Sequence, residues 1–218
     1  FTTQYAPDGM YVVDAPGPLY FLKSIYAPLS RWQFADMTNG SYYMVTRVKT
    51  YASFLKKSEY EVMKKIDSLL YENIPGKILS KKLIENNGYT GYDISNRTRR
   101  GDLQRYQLFV TPYEVLIFKM SGKENYITGK EAAQFFSSIT FREQENKPGY
   151  FEPLQGGFTI NLPQKPSEYF NNSNSDGRWE YEAVDNKTGD AWLIFKKSIY
   201  NYNFIEEVDG RFLILTND

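Results

Sequence analysis

Two short motifs in this chain carry the residue types for acyl transfer through a serine. Ser53-x-x-Lys56 would supply a nucleophile and a lysine to take its proton, and Lys187-Thr188-Gly189 would edge the substrate. That chemistry also needs a Ser-x-Asn element between them, and residues 53 to 187 contain none. Gly189 stands in a polar link between two strand-like runs. There a glycine supplies positive φ without steric penalty, so the triplet reads as a turn.

Three other stretches carry ligand-like spacing. Asn172-x-Asn174-x-Asp176-Gly177 resembles the start of a calcium loop, in which alternating oxygens wrap the ion. Its twelfth position, where a bidentate Glu belongs, is Ala183, so Asn172, Asn174 and Asp176 read as a polar loop with at most a weak cation site. Residues 122–131, GKENYITGKE, space their glycines seven apart and place Glu131 where a phosphate loop needs Ser or Thr. Arg100-Gly101-Asp102 has the composition of a tight turn rather than of an adhesion site.

The chain holds no Cys and no His. Thiol nucleophiles, disulfides, imidazole bases and Cys/His zinc sites are therefore excluded. Lys+Arg and Asp+Glu both number 26, so no net field attracts a polyanion, and nucleic acid is not an expected partner. Runs such as Lys56-Lys57 and Arg99-Arg100 read as solvated surface. No apolar run approaches the roughly 18 residues of a membrane helix. No cofactor is expected. The chain begins at Phe1, which reads as a processed or trimmed polypeptide, and with the missing Cys this fits an extracytoplasmic bacterial protein.

The elements that position these residues follow from periodicity. Strands are expected at 10–16 and 18–23, then a hairpin of 31–36 and 41–49 around Asn39-Gly40. Ser58-x-x-Glu61 is a capping box opening a helix whose stripe is Val62, Met63, Ile66, Leu69 and Leu70, ended by Pro75-Gly76. Strands follow at 77–84, 90–96, 103–110 and 114–120, with the apolar run 115–118 placed centrally. A second helix is expected from Thr128, with a capping box to Glu131 and a buried stripe of Ala132, Phe135, Phe136 and Ile139. The pattern is α+β, a mostly antiparallel sheet with two packing helices.

The chain also repeats itself. YVVDAP (11–16) recurs as FTINLP (158–163) and RWQF (31–34) as RWEY (178–181), both 147 residues on; DMTNGSYYMV (36–45) matches DNKTGDAWLI (185–194) at 149. The order argues for tandem copies: residues 1–142, a linker at 143–150, and a partial second copy, rich in strands, at 151–218. Trp32 and Trp179 share a repeat position and read as core, as does Trp192. The last stretch, 210–218, reads as one more strand.

Residues 88–91 (Gly-x-x-Gly), the paired runs within 103–120, and Phe135-Phe136-Ser137-Ser138-Ile139-Thr140-Phe141 resemble the PsbP/Mog1-like α/β/α sandwich group over residues 8–142. The resemblance implies partner binding or assembly of larger complexes, and no shared catalytic motif. With 19 Tyr and 15 Phe, some rings must be exposed. The aromatic stretch 19–29, with Tyr20, Phe21 and Tyr26, is the expected partner-facing segment. The expectation is a non-catalytic binding or assembly module of a bacterial envelope or secreted protein, in the periplasm or at the cell surface, with a protein partner. The alternatives are a carbohydrate-binding module or a carboxylate-based glycoside hydrolase, for which no carboxylate pair stands out.

Overall fold

The computed structural model describes residues 1–22, 29–50, 58–74, 76–142, 148–154, 156–172, 177–185 and 187–197. The chain divides into two compact units, Phe1–Asn146 with Asp185–Asp190, and Lys147–Val184 with Ala191–Asp218. In the first, β1 (Thr2–Tyr5), β2 (Tyr11–Ala15), β3 (Tyr20–Leu22), β4 (Leu29–Asp36) and β5 (Ser41–Lys49) precede α1 (Glu59–Asn73). Then come β6 (Lys77–Asn86), β7 (Tyr89–Arg97), β8 (Leu103–Val110), β9 (Glu114–Gly122), a 3-10 helix (Glu124–Thr128), α2 (Lys130–Ser137) and β10 (Thr140–Phe141).

Seven strands form one antiparallel sheet in the order β3-β4-β5-β9-β8-β7-β6. The class is α+β, a mostly antiparallel sheet with two helices. The apolar run 115–118 does lie on the central strand. Alternation along β9 sends Leu116, Phe118 and Met120 to one face, all fully buried, and Val115 and Ile117 to the other. Both faces therefore need cover. On one, Phe118 packs with Tyr43, Val45 and Phe109 beneath Phe135, Phe136 and Tyr11. Its ring meets those of Tyr11, Phe109 and Phe141 edge-on, at 5.2, 6.2 and 6.3 Å. On the other, Val62 and Met63 of α1 pack with Ile94, Tyr106, Leu108, Val110 and Val115. Where β7 and β8 cross, a Cβ on Gly91 would lie 1.9 Å from the Leu108 carbonyl oxygen, so only glycine fits.

The α1 capping box forms: Ser58 N–H donates to Glu61 Oε2 at 2.8 Å, and Glu61 N–H returns to Ser58 Oγ at 3.3 Å. The expected box at Thr128 does not. Thr128 closes the 3-10 helix, Gly129 takes the cap position in an extended conformation, and no side chain caps α2. The stripe of Ala132, Phe135, Phe136 and Ile139 is buried as expected, so packing positions α2. Of the α1 stripe, Val62 and Met63 are buried and Ile66 partly so; Leu69 and Leu70 side chains lie outside the described set.

A second, three-stranded sheet, β1-β2-β10, was not anticipated. It ties the start of the unit to the end of α2. Arg142 N–H donates to Met10 O and Asp14 N–H to Ser138 Oγ, both at 2.8 Å.

In the second unit β11 (Gly149–Phe151) pairs with β12 (Ile160–Leu162), and β13 (Ser167–Asn172), β14 (Arg178–Val184) and β15 (Ala191–Lys197) form a meander. β11 begins inside the stretch read as a linker. Trp179 and Tyr181 are buried, and the Tyr181 ring meets Phe151 at 5.0 Å. Trp32 and Trp192 are only half-buried, so the expected core role holds fully for Trp179 alone. Residues 210–218 lie outside the described residues.

Two turns share one device. Gly40 (φ +71°) donates its N–H to Asp36 O at 2.8 Å, while Asp36 Oδ1 accepts Thr38 N–H at 2.9 Å. Gly189 (φ +78°) donates to Asp185 O at 2.7 Å, and Asp185 Oδ1 accepts Lys187 N–H at 2.8 Å. Lys187-Thr188-Gly189 is thus the connection between β14 and β15.

Phe118→Ala removes the ring that meets Tyr11, Phe109 and Phe141 edge-on. It should lower stability by about 3–5 kcal/mol, read as a reduced urea midpoint with an unchanged m-value.

Candidate functional site

Glu114, the most deeply buried carboxylate among the described residues, belongs to an ion cluster under the β8–β9 turn. Thr111 and Glu114 close that turn with paired hydrogen bonds, which aims Glu114 inward. Arg47, from β5, grips Glu114 with two nitrogens, Nε lying 2.9 Å from Oε2, and its outer nitrogen also reaches Asp8 Oδ2 at 2.6 Å. Burial raises the Glu114 carboxyl, with Arg47 working against it. For Asp8, burial opposes the charge, but Arg47 and backbone N–H bonds together prevail and hold the carboxyl below its ordinary value. Burial also pushes the nearby Tyr11 phenol up.

A second pair lies on strands β7 and β8. Arg105 Nε and an outer nitrogen lie 3.0 and 2.6 Å from the two oxygens of Asp93, and Gln107 adds a bond at 2.8 Å. The guanidinium stacks 4.5 Å over the Phe136 ring. Burial raises Asp93, but the bonds from Arg105 and Gln107 prevail and its pKa is lowered. Each of these carboxylates is held as the acceptor for an arginine, an arrangement that fixes strands and leaves no free proton acceptor there.

Of the sequence-predicted residues, Tyr20 and Phe21 lie on β3, the terminal strand of the large sheet, 66% and 56% exposed, with Leu22 beside them at 40%. Phe21 leans on Trp32, ring centroids 5.3 Å apart. Tyr26 lies outside the described residues, as do Ser53, Lys56, Asn174 and Asp176; Asn172 ends β13, its side chain likewise outside them. Among the described residues no group of three His, Cys, Asp or Glu is placed to hold a metal. Arg100-Gly101-Asp102 forms the turn between β7 and β8, Gly101 N–H donating to Thr98 O at 3.0 Å. A surface cleft of about 510 Å³ is lined by Gly76, Lys77, Leu79, Arg97, Thr98 and Arg99. Among the described residues no helix is long and apolar enough to cross a membrane.

No family model and no curated protein matches the chain. Among solved structures, the crystal structure of a protein of unknown function, PA94 from Pseudomonas aeruginosa, matches at 13% identity. It covers 54% of this chain and 91% of that one, with a TM-score of 0.36. A likeness that low speaks neither to activity nor to partner.

Arg47→Met strands a buried carboxylate and should cost about 3–5 kcal/mol, while Arg47→Met with Glu114→Leu should recover most of that loss in urea unfolding. Asp93 has a lowered folded pKa. Its contribution is therefore present in full above the ordinary 3.8 and is lost as pH falls through the lowered value. Asp93→Asn should flatten the acid limb of a urea-midpoint-versus-pH profile between 3.8 and that lowered value.

Proposed function

We propose that the chain is a non-catalytic binding or assembly module of a bacterial envelope or secreted protein, built from tandem PsbP/Mog1-like units. The observation that carries the binding role is β3. Among the described residues it is an edge strand of three uncharged residues, two aromatic and one leucine, and all three side chains are exposed. An open edge offers unpaired backbone groups to an added strand, and exposed aromatics supply anchoring area. The opposite edge, β6, carries Lys77, Lys81 and Lys82 and a bulge near Ile78, which discourage such pairing.

Support for tandem copies comes from register. Thr2↔Ala15 and Thr3↔Asp14 in the first unit recur as Gly149↔Leu162 and Tyr150↔Asn161, each partner 147 residues on. The Asp36–Gly40 and Asp185–Gly189 turns add a second shared device. One helix on each sheet face agrees with the layered resemblance.

A photoreactive phenylalanine at position 20 should capture one protein at a one-to-one ratio in the native envelope, while the same probe at Leu79 should not. Phe21→Asp should weaken that capture by roughly tenfold or more with the far-UV spectrum unchanged. Saturable glycan binding without a protein partner, or turnover of a glycan panel, would replace this reading with a carbohydrate-directed one.

A further inference from the structure

Among the described residues, the cluster under α1 on one face of the large sheet draws its buried sheet residues from β7, β8 and β9, with Ile78 of β6 packed against it. Across the remaining strands, two rows stand side by side. Leu22, Arg31, Thr46 and Ile117 form one; Tyr20, Gln33, Met44 and Lys119 form the next, two residues along each strand. Alternation directs both rows to this face, and among the described residues β3, β4, β5, β8 and β9 send no carboxylate to it.

Hydrogen-bond donors in these rows outnumber free acceptors. Gln33 Oε1 already accepts the Tyr42 hydroxyl, and Gln104 Oε1 accepts that of Tyr106 at 2.5 Å. Arg31 Nε and Thr46 Oγ1, neighbours across the β4–β5 ladder, are withheld from solvent and have no hydrogen-bond partner. Thr46 is only 4% exposed. The Lys119 ammonium lies 5.2 Å over the Tyr106 ring, and burial, then the nearby Arg31 charge, lowers its pKa. The two cations share this face, one row and two strands apart, with the dry Thr46 hydroxyl on the strand between them.

We propose that this open half-face is a carboxylate site, in which Arg31, Lys119 and Thr46 receive an acidic side chain of a protein partner. The inference rests on the binding-module reading and names the chemistry of its partner. One oxyanion would fill the vacant donors and relieve the repulsion between the cations. The occupant is a peptide carboxylate because Tyr20, Leu22 and Met44 wall the site with apolar surface beside the free edge. A strand added to β3 sends alternate side chains over this same face, about 10 Å from the Arg31 backbone, a gap that Glu and Arg side chains span together.

The test uses the full chain and two fluorescein-labelled octapeptides, one alternating Glu with Val, the other Gln with Val. Fluorescence anisotropy should show the Glu peptide binding roughly tenfold or more tightly, with the advantage shrinking as salt rises. Arg31→Gln with Lys119→Gln should abolish the preference, and Lys119→Arg should retain it. Equal affinity for both peptides, or a preference that survives the double variant, overturns the site. Displacement of the Glu peptide by low-millimolar inorganic phosphate would mark a free-anion site instead and overturn the peptide assignment. Capture at position 20 is read separately. If it persists without any Glu preference, the binding module stands and the carboxylate site falls; if the preference persists without capture, the envelope-partner reading falls and the site stands.

Discussion

A central strand that is apolar on both sides cannot be satisfied by one layer. β9 places Leu116, Phe118 and Met120 on one face and Val115 and Ile117 on the other, and the rest of the first unit follows from the need to cover both. The Phe118 side receives α2 and the small sheet, so both ends of the unit are drawn to the same surface. Among the described residues one helix serves the other side, and its buried contacts gather around Leu108 and Val110. Beyond that corner, the residues facing outward change from valine and leucine to Gln33, Arg31, Thr46 and Lys119. Incomplete cover and polar composition coincide, as they must if that surface is to meet water or a ligand.

The interior charges follow a different rule. Arg47 and Arg105 each bind a carboxylate with two nitrogens, Arg105 across the β7–β8 hairpin and Arg47 to a residue far away in sequence. Arg47 reaches from β5 to the β8–β9 turn and to Asp8 in the connection between β1 and β2, so one guanidinium holds three segments. Arginine suits this role because its planar fork matches carboxylate geometry and stays charged when buried. Such pairs fix position at the expense of proton-transfer capacity, in keeping with a chain whose composition lacks histidine and cysteine.

Local signals made much of this architecture legible. The β4–β5 hairpin follows from Asn39-Gly40, α1 from its capping box and stripe, and β6 to β9 from runs bounded by turn residues. What escaped depended on distant partners. β1 is four residues, largely exposed, and β10 two, so neither shows alternation; each exists because β2 lies between them. Thr128 had the right spacing for a cap, but the preceding 3-10 turn occupied it. Arg47 shares an alternation set with Tyr43 and Val45, a hint that its side chain points inward, yet sequence could not say that Glu114 awaited it. Arg31 and Lys119 come from strands joined only by the sheet. Tyr20 and Phe21 were legible as exposed aromatics because a strand this rich in rings cannot bury them all.

The unlike rims of the seven-stranded sheet also govern self-association. A ribbon that lengthens without limit needs a tip that accepts and a tail that offers. Here the lysine-studded, bulged margin at Lys77–Asn86 makes a poor tail. Copies meeting through their backbone margins would therefore join tip to tip and stop at a pair, a geometry that closes on itself rather than propagating into fibres.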